Sequence, residues 1–170
     1  WRFEVKAYPQ LTSEASMTRF AGKFYTQEQC KELEAYAAER GVTVIPEIDM
    51  PGHSAAFKRA MGHGMQTDEG VAELQEILEE VAATFPLAPY LHIGADEEAI
   101  TYPNFLKIMT DKVHSLGKKV VVWNPIRGVS ISKDAGFDMT QMWSTSGRKV
   151  EGLANIDCRY NYTNHFDVFA

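Results

Sequence analysis

Apolar positions along this chain fall into blocks whose period switches between helical and strand-like. Residues 26–40, TQEQCKELEAYAAER, open with a Thr-x-x-Gln capping box and carry Cys30, Leu33 and Ala37 at helical spacing. That pattern predicts an amphipathic helix with those three residues facing inward. Gly41 stops it, and residues 42–50, VTVIPEIDM, form a short β-branched run of the kind buried in a parallel sheet. The unit then recurs. Val71, Leu74, Leu78 and Val81 mark a second helix, Pro86 and Pro89 punctuate its exit, and YLHIG (90–94) is the next strand. Leu106, Met109, Val113 and Leu116 give a third stripe, Gly117 the stop, and KVVVW (119–123) the strand after it. DMTQMW (138–143) and NIDCRY (155–160) read as two further strands, joined by a link of weaker helical pattern.

Strands alternating with helices at this spacing predict a parallel α/β sheet, either open and doubly wound or closed as a barrel. No GxGxxG or GxxxxGK[ST] follows any of these strands, which removes the usual nucleotide-binding forms of the open sheet. The expected fold is a (β/α)8 TIM barrel. A complete one takes about 250 residues, so these 170 are expected to cover its central strands as a single catalytic-domain fragment, residues 1–170. The opening WRFEVKAYPQLT starts mid-pattern, and the expectation is that both ends are cuts, leaving either part of a longer parent protein or a fragment whose activity is lost with the missing strands.

Composition narrows the function classes. The formal charge is −6, with Lys and Arg dispersed, so no basic stripe for nucleic acid is present. No apolar run approaches the roughly 20 residues of a membrane span. Cys30 and Cys158 lack metal-ligand spacing, and a buried thiol is the favoured reading of Cys30.

Chemistry gathers where the predicted strands end: Glu47, Asp49 and His53 after the first, Asp96, Glu97 and Glu98 after the second, Trp123 and Asn124 after the third, Trp143 after the fourth. Parallel α/β sheets collect ligands at this edge. Carboxylates floored beneath aromatic walls suit a sugar, whose C–H faces stack on rings while its hydroxyls need hydrogen-bonding partners. A carboxylic acid with a raised pKa also protonates the leaving oxygen in glycoside cleavage. Asp96 and Glu97 leave the strand in different directions and can divide such roles, with small Gly94 and Ala95 letting a substrate approach. Each residue also has a plainer reading: acids that cap the next helix, a turn histidine, core tryptophans, and surface roles for His63, His114 and His165. Their shared place at strand ends favours the site.

The segments KFYTQEQCKELEAYAAERGVTVIPEIDMPGHSAAF and LHIGADEE, with WRFEVKAYPQLT before them, resemble the catalytic domain of the family 20 glycoside hydrolases, the β-N-acetylhexosaminidases. PEIDxPGH followed by HxGxDE is a specific pair. The resemblance implies removal of terminal non-reducing N-acetylhexosamine from β-glycosides by a retaining mechanism in which the substrate's 2-acetamido oxygen is the nucleophile. It implies Glu97 as acid and base, Asp96 orienting the acetamido group, and His53 tuning the acid. It implies Trp123 and Trp143 as walls of the sugar pocket, and Tyr162 with Asn164, or a displaced Asp167, as further sugar contacts. The implied partner is a glycan ending in N-acetylhexosamine; no cofactor or metal is called for. The family's usual setting is extracytoplasmic: periplasmic, secreted or lysosomal. Ala95 departs from the family's second glycine, and its methyl fits only where the backbone keeps φ below zero. The first-strand arginine, the Asp-rich segment and the last tryptophan wall of the family have no counterpart here.

Two other classes stay open. One is a carbohydrate-binding or degenerate hydrolase module that keeps the cleft without turnover. The other is a metal-dependent barrel hydrolase using Asp49, His53, His92 and Asp96, although these lack the spacing of familiar metal sites.

Overall fold

The computed structural model describes residues 1–159. Five parallel strands, β1 (Glu47–Met50), β2 (Tyr90–Gly94), β3 (Lys119–Asn124), β4 (Met139–Met142) and β5 (Ala154–Asp157), lie side by side in chain order. A doubly wound sheet reverses its order at a switch point, whereas this one never does. It is an arc of a singly wound barrel, as the sequence predicts.

The α-helices are α1 (Gln27–Ala38), α2 (Ala55–Met61), α3 (Asp68–Thr84) and α4 (Phe105–Ser115). The expected capping box opens α1: Thr26 Oγ1 accepts the Gln29 N–H, and Gln29 Oε1 accepts that of Thr26. The buried face of α1 is not the one its apolar spacing indicates. Cys30 is buried, but Leu33 is 48% exposed, and the inward positions are Gln27 and Glu34. Glu34 Oε1 accepts the backbone N–H groups of Leu87 and Ala88 at 3.1 and 2.8 Å. Those two donors sit in the turn leading to β2, and satisfying them is what draws a carboxylate inward past a leucine. The stripe of α3 is buried as expected, with Ile77 added; that of α4 is shifted by Phe105, which is buried where Leu106 is only half so.

Two further expectations change, and one helix appears that the sequence did not announce. The first strand is shorter than residues 42–50, because Pro46 has no N–H to give the ladder and pairing starts at Glu47. Helix α2 has no apolar stripe to announce it; only Ala56 and Phe57 are buried. Among the described residues, no α-helix joins β3 to β4 or β4 to β5. The second connection is closed instead by Asn155, whose Oδ1 accepts the Val150 N–H and whose Nδ2 donates to the carbonyls of Val150 and Leu153.

Strand parity sets the two faces. Ile48, Leu91, Ile93, Val120 and Val122 are buried beneath the helices together with Phe57, Leu74, Leu78, Phe105 and Met109. The other face carries Glu47, Asp49, His92, Val121, Trp123 and Gln141, since Glu47 is in register with His92, His92 with Val121, and Trp123 with Gln141. This polar face is the inside of the arc.

Candidate active site

The geometry at the carboxyl edge begins with a double kink. Gly94 ends β2 at φ +71° and Ala95 follows at φ +85°. Two left-handed residues in succession turn the chain sharply off the strand, so that Asp96 and Glu97 emerge beside the loop after β1. The condition that Ala95 keep φ below zero is not met; the position that favours glycine holds an alanine, whose methyl is buried in the core at 1% exposure. Gly94 answers a need within the fold. A Cβ there would stand 1.8 Å from Asp49 Oδ1 and 2.9 Å from Asp49 Cα, so the glycine makes room for Asp49. Asp49 Oδ1 in turn meets the Ala95 N–H at 3.4 Å.

His53, itself left-handed at φ +47°, places Nε2 2.6 Å from Glu97 Oε2. The two side chains are 68% and 49% exposed. A pair so open contributes little to stability, which leaves it free to serve an incoming molecule. Burial opposes charge on His53, but the hydrogen bond it donates to Glu97 and the negative charges of Asp49, Glu97 and Asp96 outweigh it and hold the imidazole above its ordinary pKa. Asp96 is half-buried and its carboxyl is raised, chiefly by burial and then by the nearby Glu97 charge. Its Oδ1 is fully enclosed and has no hydrogen-bond partner among the described residues. Such an oxygen is a site waiting for a donor.

Deeper in the arc, Glu47 Oε1 accepts the indole N–H of Trp123 at 2.8 Å and lies 3.9 Å from His92 Nδ1. Burial pushes the Glu47 carboxyl up to about 7; the Trp123 bond opposes this, and the charges of Asp49 and Asp96 add to it. Asp49 is raised in the same way, by burial and then by Asp96. His92 is 3% exposed, and burial drives its pKa down to about 3. Its Nδ1 accepts the Gly94 N–H at 3.0 Å, so the ring is neutral and protonated on Nε2. The ring packs against Trp123 with centroids 4.6 Å apart.

Trp143 follows β4, and its backbone N–H reaches the Asn124 carbonyl at 3.3 Å, beside the end of β3. Its indole N–H is buried without a partner among the described residues. The structure therefore brings Asp96, Glu97 and His53 together and sets Trp123 and Trp143 on neighbouring strand ends. Tyr162, Asn164 and Asp167 lie outside the described residues. Sequence reasoning counted Glu47 among the strand-end acids but missed its tie to Trp123; the shared parity of the two residues across the register was the available signal. Among the described residues, no group of three or more His, Cys, Asp or Glu side chains gathers as a metal site. Of the four expected for a metal hydrolase, His53 is engaged by Glu97 and His92 Nδ1 by a backbone N–H.

A singly wound parallel arc with acids, a histidine and tryptophans on its carboxyl edge defines a segment of a (β/α)-barrel catalytic domain. Residues 1–73 match the family model described as glycosyl hydrolase family 20, catalytic domain. The chain is 33% identical to a β-hexosaminidase of Vibrio furnissii over 79% of its own length and 32% of that protein's, and 38% identical to one of Porphyromonas gingivalis over 57% and 16%. Among solved structures, a β-N-acetylhexosaminidase of Bacteroides fragilis aligns over 85% of this chain and 36% of its own, with TM-score 0.69 and 30% identity. An exo-β-N-acetylglucosaminidase of Vibrio harveyi, solved with N-acetylglucosamine, aligns over 95% and 39%, with TM-score 0.66 and 26% identity. This chain carries part of the catalytic domain of glycosyl hydrolase family 20. It spans about a third of the length of the Vibrio furnissii relative.

Proposed function

We propose that this catalytic segment serves a β-N-acetylhexosaminidase, releasing terminal N-acetylhexosamine from the non-reducing end of a glycan by substrate-assisted hydrolysis. The observation that carries the reading is the pairing of an exposed, histidine-bound Glu97 with an adjacent Asp96 whose inner oxygen lacks a donor among the described residues. Two neighbouring acids are thereby given different surroundings, which is how one site divides two roles.

In this reading Glu97 gives its proton to the glycosidic oxygen as the C1–O bond breaks. The substrate's acetamido oxygen attacks C1, and Asp96 accepts the acetamido N–H, stabilising the positive charge of the resulting oxazolinium ion. The aglycone leaves as an alcohol. Water then adds to C1, Glu97 takes its proton, and the ring opens back to the acetamide, leaving the sugar with its original β configuration. No carboxylate nucleophile is needed. His53 holds Glu97 by its imidazole, and the Trp123 and Trp143 rings offer faces for the sugar's C–H surfaces.

The test is release of p-nitrophenol from its N-acetyl-β-glucosaminide by the chain and by Glu97→Gln. Release that depends on Glu97 is the expected result. A folded chain that binds N-acetylglucosamine and releases nothing would instead favour the non-catalytic carbohydrate-binding module.

A further inference from the structure

Trp123 is held from two sides by residues of two other strands. His92 of β2 packs against its ring, with centroids 4.6 Å apart, and Glu47 of β1 accepts its indole N–H at 2.8 Å. His92 is fully buried and neutral, fixed by the Gly94 N–H on Nδ1. The two rings meet at a tilt of 53°, so this contact bounds where the indole can lie without fixing how it is turned. Glu47 supplies that missing constraint. Its bond spans 76 positions of sequence, and Glu47 leaves β1 on the same inner face as Asp49, which itself reaches Ala95 beside the acid pair.

We propose that Glu47 is a positioning residue for the sugar site: it orients the Trp123 indole so that the ring forms a fixed wall facing the acetamidosugar. The inference rests on the reading of Trp123 as a substrate wall. A leucine would pack at this position with less desolvation cost than a carboxyl, so the acid is not there for packing. The carboxyl is raised by burial and by the charges of Asp49 and Asp96, yet both its protonated and ionised forms keep an acceptor oxygen for the indole N–H. The wall is therefore held across that titration.

The experiment compares the full chain with Glu47→Gln, Glu47→Leu and Trp123→Phe. Near-ultraviolet circular dichroism and tryptophan emission report the indole environment, with Trp123→Phe defining the Trp123 contribution, and calorimetric titration with N-acetylglucosamine reports the wall. Glu47→Gln, which keeps an acceptor oxygen, is expected to preserve the Trp123 signal and to hold sugar affinity within about twofold. Glu47→Leu is expected to lose the Trp123 near-ultraviolet signal and to weaken N-acetylglucosamine by about tenfold, the order of one hydrogen bond to a charged group, with far-ultraviolet dichroism unchanged. A Glu47→Leu chain with the original Trp123 signal and affinity would overturn the proposal. So would a Glu47→Gln chain as impaired as Glu47→Leu. Failure of the unsubstituted chain to bind the sugar would instead sink the functional reading, and the ligand-free Trp123 signal tells the two failures apart.

Discussion

His53 Nε2 and Glu97 Oε2 stand 2.6 Å apart, although the two residues belong to loops that follow different strands. The contact exists because His53 holds a left-handed backbone, at φ +47°, and because Gly94 and Ala95 turn the second loop toward it. Non-glycine residues persist in that region when surrounding structure over-determines them, and here the strain converges on one acid. Glu97→Gln is expected to lower hydrolysis of p-nitrophenyl N-acetyl-β-glucosaminide by at least about 100-fold, the scale of a lost general acid. His53→Ala is expected to lower kcat by about tenfold within that same scale of proton-transfer effects. It should also remove the limb of the pH profile that His53 contributes above its ordinary 6.5. Steady-state rates from pH 4 to 9 check both, and a His53→Ala profile with unchanged limbs would sever His53 from the acid.

The kink itself is testable by stability. At Gly94 an added methyl would collide with the carboxyl and Cα of Asp49 in a backbone region already unfavourable to it. Gly94→Ala is expected to destabilise the fold by about 2–4 kcal/mol, combining overpacking with left-handed strain. Ala95→Gly runs the other way. Relief of a left-handed alanine, about 1–2 kcal/mol, outweighs the added unfolded-state freedom of glycine, about 0.4–1 kcal/mol. A net gain of up to about 1.6 kcal/mol should appear in urea unfolding. Loss of stability in Ala95→Gly would mean that the buried methyl's packing dominates.

Much of this was legible in the sequence, and the reasons differ by element. The helices α1, α3 and α4 and the strands β2 and β3 announce themselves because a long periodic stripe or a β-branched run ends at a cap or glycine. The inward turn of Glu34 past Leu33 was not legible, since it depends on two backbone donors 53 and 54 residues away. Helix α2 and the connections around β4 and β5 were missed or misread because they are held by side chains such as Asn155 rather than by an apolar period. The acid pair and His53 were visible as motif residues, while their approach depends on the φ values of two loops. The Glu47–Trp123 bond was hidden for the same reason: it is a fact of register.

Glu47 should leave a mark on the pH dependence of stability. Its carboxyl is raised from 4.5 to about 7 by burial, so the folded state binds a proton that the unfolded state has released between those values. Stability therefore falls as pH rises through this window and levels off above it. Asp49 and Asp96, also raised, slope the same way. Glu47→Gln removes one such group while keeping an acceptor for Trp123. The expected gain over the unsubstituted chain is on the order of 1 kcal/mol at pH 8 and nothing at pH 4, after allowance for a side chain that is 35% exposed. Urea unfolding at the two pH values measures it, and an equal effect at both would mean the carboxyl does not titrate in this window.

Asp96 offers the sharpest separation between a hydrolase and a sugar-binding module. Its inner oxygen is enclosed and lacks a donor among the described residues, and burial raises the half-buried carboxyl although the backbone N–H groups of Asp96 and Glu97 oppose this, so a ligand N–H would meet an unfilled acceptor. If that ligand is the acetamido group, the interaction grows as the acetamide turns cationic in the oxazolinium ion, because a carboxylate beside a positive charge is worth more than one beside a neutral amide. Asp96→Asn keeps the shape but loses the charge. It should therefore depress kcat by about 10²-fold, the scale of a lost electrostatic partner, while changing KM much less. The loss should be smaller for an N-trifluoroacetyl substrate, whose carbonyl oxygen is a poorer nucleophile and participates less. Equal losses on the two substrates would place the role of Asp96 in binding the sugar rather than in assisting its departure.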